Sequence, residues 1–256
     1  MVVGTQLAGP FRDIRGVMGQ MAMLERRMEW EQALGRERFS AIGWPEEFGG
    51  RGANLAEQVI FAEEYARAGA PGRVGHMGIE LAGPTILTFG TAEQKARFLL
   101  PIARGEEFWC QGYSEPGSGS DLVSLQTFGE DKGDHWVVNG QKVWTSYADK
   151  ADWIFCLVRT DKNDKYRGIS FLLFDMTTPG VTTKPIKLIS GASPFCETFF
   201  DNVKVPKHQI VGELNRGWDV AKYLLGHERL NTGRIGQSRR ELLRLRELAS
   251  RTLVRG

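Results

Sequence analysis

Through roughly the first hundred residues, apolar positions return every three or four places, the spacing that lines one face of an α-helix. In Leu55-Ala-Glu-Gln-Val-Ile-Phe-Ala-Glu-Glu-Tyr-Ala-Arg67 the stripe is Leu55, Val59, Ala62 and Ala66. Gly69, Ala70 and Pro71 stop that helix. Thr91-Ala-Glu-Gln94 starts another, ahead of Phe98, Leu99 and Leu100, because a Thr cap with Gln three residues on satisfies the free N–H groups of a first turn. The segment Gly43-Trp-Pro-Glu-Glu-Phe-Gly-Gly-Arg-Gly-Ala53 fits neither period and reads as a loop anchored by Trp44 and Phe48.

From about residue 107 the pattern shifts to short runs rich in Val, Ile, Phe, Trp and Thr, separated by Gly, Asp, Asn and Pro. His135-Trp-Val-Val-Asn-Gly-Gln-Lys-Val-Trp144 places Asn139-Gly140 between two apolar runs, which predicts a type I′ hairpin turn there. Asp152 to Val158, Gly168 to Phe174 and Phe195 to Phe200 read as further strands, together a small antiparallel barrel or sandwich. Helical spacing returns after Pro206. From about Gly217 to the end only single glycines interrupt it, which predicts one helix of ~40 residues, about 60 Å long. Leu242, Leu245, Leu248 and Ala249 lie on one side of it, an apolar face that no later sequence covers, so another chain or a missing carboxyl-terminal part is expected to cover it. The expected class is α+β, in three parts: a helical 1–106, a β-rich 107–206 and a helical 207–256 that looks truncated.

Composition narrows the picture. The chain has 256 residues, 41% of them hydrophobic and 25% charged, with no run approaching the ~18 apolar residues of a membrane span. Its net charge of +2, from 33 basic and 31 acidic residues, steers it toward neither nucleic acid nor an anionic membrane. The amino terminus, MVVGTQLAGPFRDIRG, lacks the order of a secretory signal and carries an acidic residue that a mitochondrial presequence avoids, so the cytoplasm is the expected location. Cys110, Cys156 and Cys196 have neither metal-site nor disulfide-framework spacing and read as buried free thiols. His76, His135, His208 and His227 are too dispersed for a metal site or a nucleophilic triad.

Two segments carry candidate chemistry. Gln111-Gly-Tyr-Ser-Glu-Pro-Gly-Ser-Gly-Ser-Asp121 packs hydroxyls and glycines into a polar loop, where exposed N–H groups and Ser hydroxyls bind phosphate or a cofactor's oxygens. The same loop also fits a plain surface turn with Asp121 as a helix cap. In Asn139-Gly-Gln-Lys-Val-Trp-Thr-Ser-Tyr147 an indole followed by two hydroxyls fits a wall and edge for a flat cofactor, or equally a core anchor with polar strand-end neighbours.

YSEPGSGSD followed some twenty residues later by NGQKVWTS resembles the paired flavin motifs of the acyl-CoA dehydrogenase family. The resemblance extends through Gly43 to Gly50, Phe108-Trp-Cys-Gln-Gly112, Pro179-Gly-Val181, Asp201-Asn-Val-Lys-Val-Pro206 and His227-Glu-Arg229, and so covers about residues 43 to 240. It implies a helical domain, a β-barrel domain and the start of a helical bundle. It also implies FAD as cofactor, with Gln111, the Tyr113 backbone and Ser114 at the flavin ring, Trp144 against its face, and Thr145 and Ser146 at its edge. Gly119 and Ser120 match the turn near the pyrophosphate and the CoA portion of the substrate. Arg229 matches an arginine near the CoA end, or is a surface salt-bridge partner.

The family's reaction removes an α-proton from an acyl thioester while the β-hydride moves to flavin, so a carboxylate base is needed. Trp218, Ala221, Leu225 and Glu228 fall at spacings of three, four and three, which puts Glu228 on an apolar helix face. In some branches a Glu before the matching Arg is the base; in others the base lies further along, and Glu228 is then a structural carboxylate. The expected function is FAD-dependent α,β-dehydrogenation of an acyl-CoA. Electron-transfer flavoprotein or a similar acceptor is the expected partner, in a homo- or hetero-oligomer. The alternatives are a non-catalytic partner subunit of a heteromeric enzyme and a flavin monooxygenase on the same architecture.

Overall fold

A computed structural model describes residues 24–232 and 235–252. The amino-terminal segment on which the targeting expectation rests lies outside them.

The helical part comprises α1 (Leu24–Arg36), α2 (Leu55–Arg67), a π-helical turn (Met77–Ala82) that runs into α3 (Gly83–Phe89), and α4 (Ala92–Arg104). Capping boxes start α2 at Asn54 and Glu57 and α4 at Thr91 and Gln94, each pairing a cap oxygen with one N–H and a returning side chain with another. Trp44 is buried and Phe48 packs on the main core, as the loop's aromatic pattern anticipates. A Cβ at Gly83 would come within 2.0 Å of the Trp44 ring, so only glycine lets α3 pass the indole. Glu31 of α1 pairs with Arg73 at 2.8 Å and accepts from the Val74 N–H at 2.9 Å. Burial works to raise the Glu31 pKa, but the Arg73 charge and these bonds outweigh it and hold the carboxyl below its ordinary range.

Seven strands follow: β1 (Trp109–Gly112), β2 (Phe128–Asp131), β3 (His135–Ser146), β4 (Trp153–Arg159), β5 (Ile169–Asp175), β6 (Val181–Ile186) and β7 (Phe195–Pro206). They form one sheet in the order β1-β4-β2-β3-β7-β6, with β5 on β4. The pairing is mixed rather than wholly antiparallel, because β1 runs parallel to β4 from Trp109↔Trp153 to Gly112↔Cys156. β4 and β5 are buried on both faces, which explains their unbroken apolar runs. Phe155, Leu157, Phe171 and Leu173 face the helices, while Ile154, Cys156, Val158, Leu172 and Phe174 face the second half of the curled sheet. All three cysteines are buried and free.

The expected hairpin at Asn139-Gly140 is not there. β3 runs straight through both residues, and the turn that reverses the chain is Lys132-Gly133-Asp134, with Gly133 at φ 91° and the Lys132 N–H on the His135 carbonyl at 3.0 Å. Asn139-Gly140 instead lies opposite a bulge in β7, where Asp201 and Asn202 face the single residue Asn139. The register slips between Val138 and Gly140, and the Asn139 Oδ1 accepts from the Asn202 N–H at 2.8 Å. Glycine is required by crowding, since a Cβ at Gly140 would lie 2.5 Å from Thr127 Oγ1.

After Pro206 helix is described on both sides of residues 233 and 234, which lie outside the described residues. α5 (Gly217–Thr232) packs Val220, Ala221 and Leu224 against the sheet's helical-side core. α6 (Ile235–Arg251) lies along α2, where Arg239 pairs with Glu63 and Gly236 approaches the Ala66 methyl. Leu242, Leu245 and Leu248 are exposed, as their stripe anticipates. The rest of the expected helix, past Thr252, lies outside the described residues. Among the described residues no helix is long and apolar enough to cross a membrane.

Candidate active site

The loop from Tyr113 to Asp121 is pinned to β3 by a buried charge pair. The Lys142 side chain is fully buried; its Nζ donates to Glu115 Oε1 at 2.8 Å and to the Tyr113 carbonyl at 3.1 Å. Glu115 also accepts from the Gln126 N–H at 2.6 Å and the Thr127 N–H at 2.9 Å. Its burial works to raise its pKa, but the Lys142 charge and these bonds prevail and hold it below the usual carboxylate range. The Val143 N–H bonds the Ser114 carbonyl at 2.8 Å, and Glu115 and Ser118 exchange backbone bonds of 2.8 and 3.0 Å, which closes a tight turn. Asp121 precedes a short 3-10 turn (Leu122–Ser124) without capping it through its side chain, so the plain-cap reading of this residue fails.

The end of β3 is shaped by a second irregularity. The register against β7 shifts between Lys142 and Thr145, and Trp144 adopts φ 62°. This turns the Trp144 indole outward, 57% exposed, with Phe195 edge-on at 6.2 Å. A non-glycine residue held in the left-handed region costs about 1–3 kcal/mol, and such strain gathers at binding sites.

These two segments and α5 enclose a cleft of about 340 Å³. Gln111, Tyr113, Ser114, Gly119 and Ser120 form one wall, Trp144 and Ser146 the next, and Glu228 faces them from α5. Met77, Trp218 and Leu225 complete it with apolar surface. Thr145 is not on the wall: the register shift after Lys142 reverses the alternation along β3 and buries it, and its Oγ1 has no hydrogen-bond partner among protein atoms. Arg229, next to Glu228, points to solvent. Among the described residues no cluster of His, Cys, Asp and Glu fits a metal. A larger hollow of about 530 Å³, lined by Trp44, Tyr65, Tyr223 and His227, holds none of the residues with candidate chemistry. The smaller cleft is the better candidate, because strain, hydroxyls and a carboxylate converge in it.

The donor set fits a flavin. An exposed indole face beside the Ser114 and Ser146 hydroxyls suits a flat ring with a polar edge, and Gly119, whose absent Cβ has no neighbour within 4 Å, leaves backbone open to a phosphate.

Two family models match: the acyl-CoA dehydrogenase N-terminal domain over residues 17–106 and the acyl-CoA dehydrogenase middle domain over residues 110–203. The chain belongs to the acyl-CoA dehydrogenase family. It is 47% identical over 253 residues to the acyl-CoA dehydrogenase IpdE1 of Mycobacterium tuberculosis, covering 96% of this chain and 66% of that protein. Among solved structures, the Tcur3481-Tcur3483 steroid ACAD aligns with a TM-score of 0.86 at 33% identity, over 98% of this chain and 66% of that one. The ChsE4-ChsE5 complex from Mycobacterium tuberculosis aligns with a TM-score of 0.75 at 38% identity, over 88% and 58%. The chain thus spans just under two thirds of the length of the curated relative.

Motif reading passed over Lys142, which holds the site, and Met77, which faces it. Lys142 was readable: it falls on the same face of β3 as the buried Trp136 and Val138, a charge in phase with core positions. Met77 was not, because its place depends on the π-helical turn.

Proposed function

We propose that this chain carries the flavin and base-bearing part of an FAD-dependent acyl-CoA dehydrogenase, with Glu228 as the base. The observation that supports it is convergence: the loop after β1, the strained end of β3 and Glu228 of α5, distant in sequence, share one cleft. Bound FAD supplies a hydride acceptor for the substrate's β-carbon. The protein does the rest. The Trp144 indole and the Ser114 and Ser146 hydroxyls bind and orient the ring, and Gly119 and Ser120 offer backbone and hydroxyl to phosphate. The Glu228 carboxylate accepts the α-proton as the carbon–carbon double bond forms, and Met77, Trp218 and Leu225 keep water from it. Thr145 serves the strand's shape in this reading, and Arg229 meets the solvent-side CoA portion.

We further assign the electrons to electron-transfer flavoprotein or a similar acceptor. A hetero-oligomer is favoured over a homo-oligomer, because both solved relatives pair two named polypeptides. The relative described as a steroid ACAD favours a ring-bearing acyl group over a plain fatty chain. FAD-loaded protein, alone and with a co-expressed partner, is mixed anaerobically with an acyl-CoA. Bleaching of the flavin band supports the reading, and Glu228→Gln abolishes it while FAD and CoA-ester binding persist. Equal bleaching in the variant moves the base elsewhere; no FAD binding in any combination overturns the reading.

A further inference from the structure

Tyr113 has two parts with different surroundings. Its carbonyl is held by Lys142 at 3.1 Å, which fixes the loop. Its ring meets Phe155 and Phe171 edge-on with centroids 5.9 and 6.4 Å away, in the core cluster that also holds Val220 and Ala221 of α5. The residue is only 5% exposed, lines the cleft with Glu228, and its Oη has no hydrogen-bond partner among protein atoms. Burial, and then the Glu228 charge, push the phenol well above its ordinary range, so the hydroxyl stays protonated and able to donate.

Phenylalanine would fill the same space between Phe155 and Phe171 without a buried polar atom. A tyrosine whose task was to hold Glu228 would bond it; here the carboxylate acts on the phenol through its charge and accepts nothing from it. A donor buried and unmatched disfavours any apolar group placed against it and favours one that offers an oxygen.

We propose that Tyr113 is a specificity-determining residue whose Oη donates a hydrogen bond to an oxygen on the acyl group itself, so that the site prefers an oxygenated acyl-CoA to a plain saturated chain. The proposal rests on reading the cleft as an acyl-CoA site. It assigns the side chain a role separate from that of the backbone at the cofactor.

Redox-inert CoA thioethers test it, because they bind without turnover: S-hexyl-CoA against S-(4-oxohexyl)-CoA and S-(5-oxohexyl)-CoA, titrated calorimetrically into the FAD-loaded protein. The better oxo ligand is expected to bind at least about tenfold more tightly than S-hexyl-CoA, and Tyr113→Phe to bring the two within about twofold with FAD content unchanged. The wild-type preference needs no variant and stands as a test by itself. Equal binding of all three ligands by the wild type overturns the proposal while leaving the dehydrogenase reading in place. So does a preference that survives in Tyr113→Phe, or a variant that sheds FAD, which would make the side chain a cofactor ligand. No binding of any thioether by FAD-loaded wild type removes both readings.

Discussion

The wall formed by the 113–121 loop and β3 and the layer formed by α2 and α6 are built on opposite terms. In the first, a fully buried lysine, a buried carboxylate and backbone bonds of 2.6–3.1 Å leave the chain one conformation. In the second, neither helix has a buried residue, and both present leucines to solvent. Its ion pair, Arg239–Glu63, is exposed and worth about 0–1 kcal/mol. Strained backbone at Trp144 is sustained only where the surroundings over-determine it, and this wall supplies such surroundings. The helical layer can shift against whatever covers it without disturbing the cleft.

The largest effect that would break this contrast is at Lys142. Lys142→Met should cost about 3–5 kcal/mol, since it leaves Glu115 charged and buried without its partner, and should release FAD with the loosened loop. The pH dependence follows from the sign of the shift. Glu115 is depressed in the folded state, so its contribution is present above its unfolded value of about 4.3 and is lost as pH falls through the folded pKa. In the variant the Lys142 charge is gone and only the Gln126 and Thr127 N–H bonds still oppose burial, so stability should no longer fall as steeply below about pH 5. Urea unfolding across pH 3–7 reads both; an unchanged acid limb would show that the pair does not hold the wall.

That wall was only half legible in the sequence. Its facing residues could be read, because hydroxyls, glycines and an indole in that order have few other uses together. Its support could be read only in part: Lys142 stands in phase with core positions, but its pairing with Glu115 is set by a sheet register that no local pattern encodes. Asn139-Gly140 shows the same limit: the pair tolerates positive φ, but whether that makes a turn or a strand passing opposite a bulge depends on Thr127 and Asn202, which approach it only in the folded sheet. The capping boxes at Asn54 and Thr91 and the leucine stripe of α6 involve only neighbours in sequence, and there the local pattern sufficed.

Gly140→Ala should cost about 2 kcal/mol, through the crowding at Thr127 and a φ of 152° that side chains avoid. A loss well under 1 kcal/mol in thermal unfolding would mean that the bulge relaxes and that the sheet is less determined than the contrast requires. Trp144→Ala should leave unfolding within about 1 kcal/mol of the wild type, because the side chain is mostly outside the core and the small residue relieves none of the core's packing. FAD affinity should fall roughly tenfold with the lost ring contact, measurable by fluorescence titration. Unchanged affinity would take the indole off the cofactor.

The smallest change in stability belongs to α6. Replacing Leu242, Leu245 and Leu248 by Gln removes apolar area already in water, so each substitution should alter unfolding by no more than about 0.5 kcal/mol. The same triple variant should nonetheless change association, because an apolar stripe of this kind seeks a partner, either a second copy or another polypeptide. Sedimentation velocity at micromolar concentration should show the wild type self-associating and binding FAD incompletely, and the variant shifting toward monomer. A wild type that stays monomeric with one FAD bound would show that the stripe is covered by its own chain, and a triple variant that unfolds would show that it is buried. Either result would move α6 from the adjustable layer to the determined one.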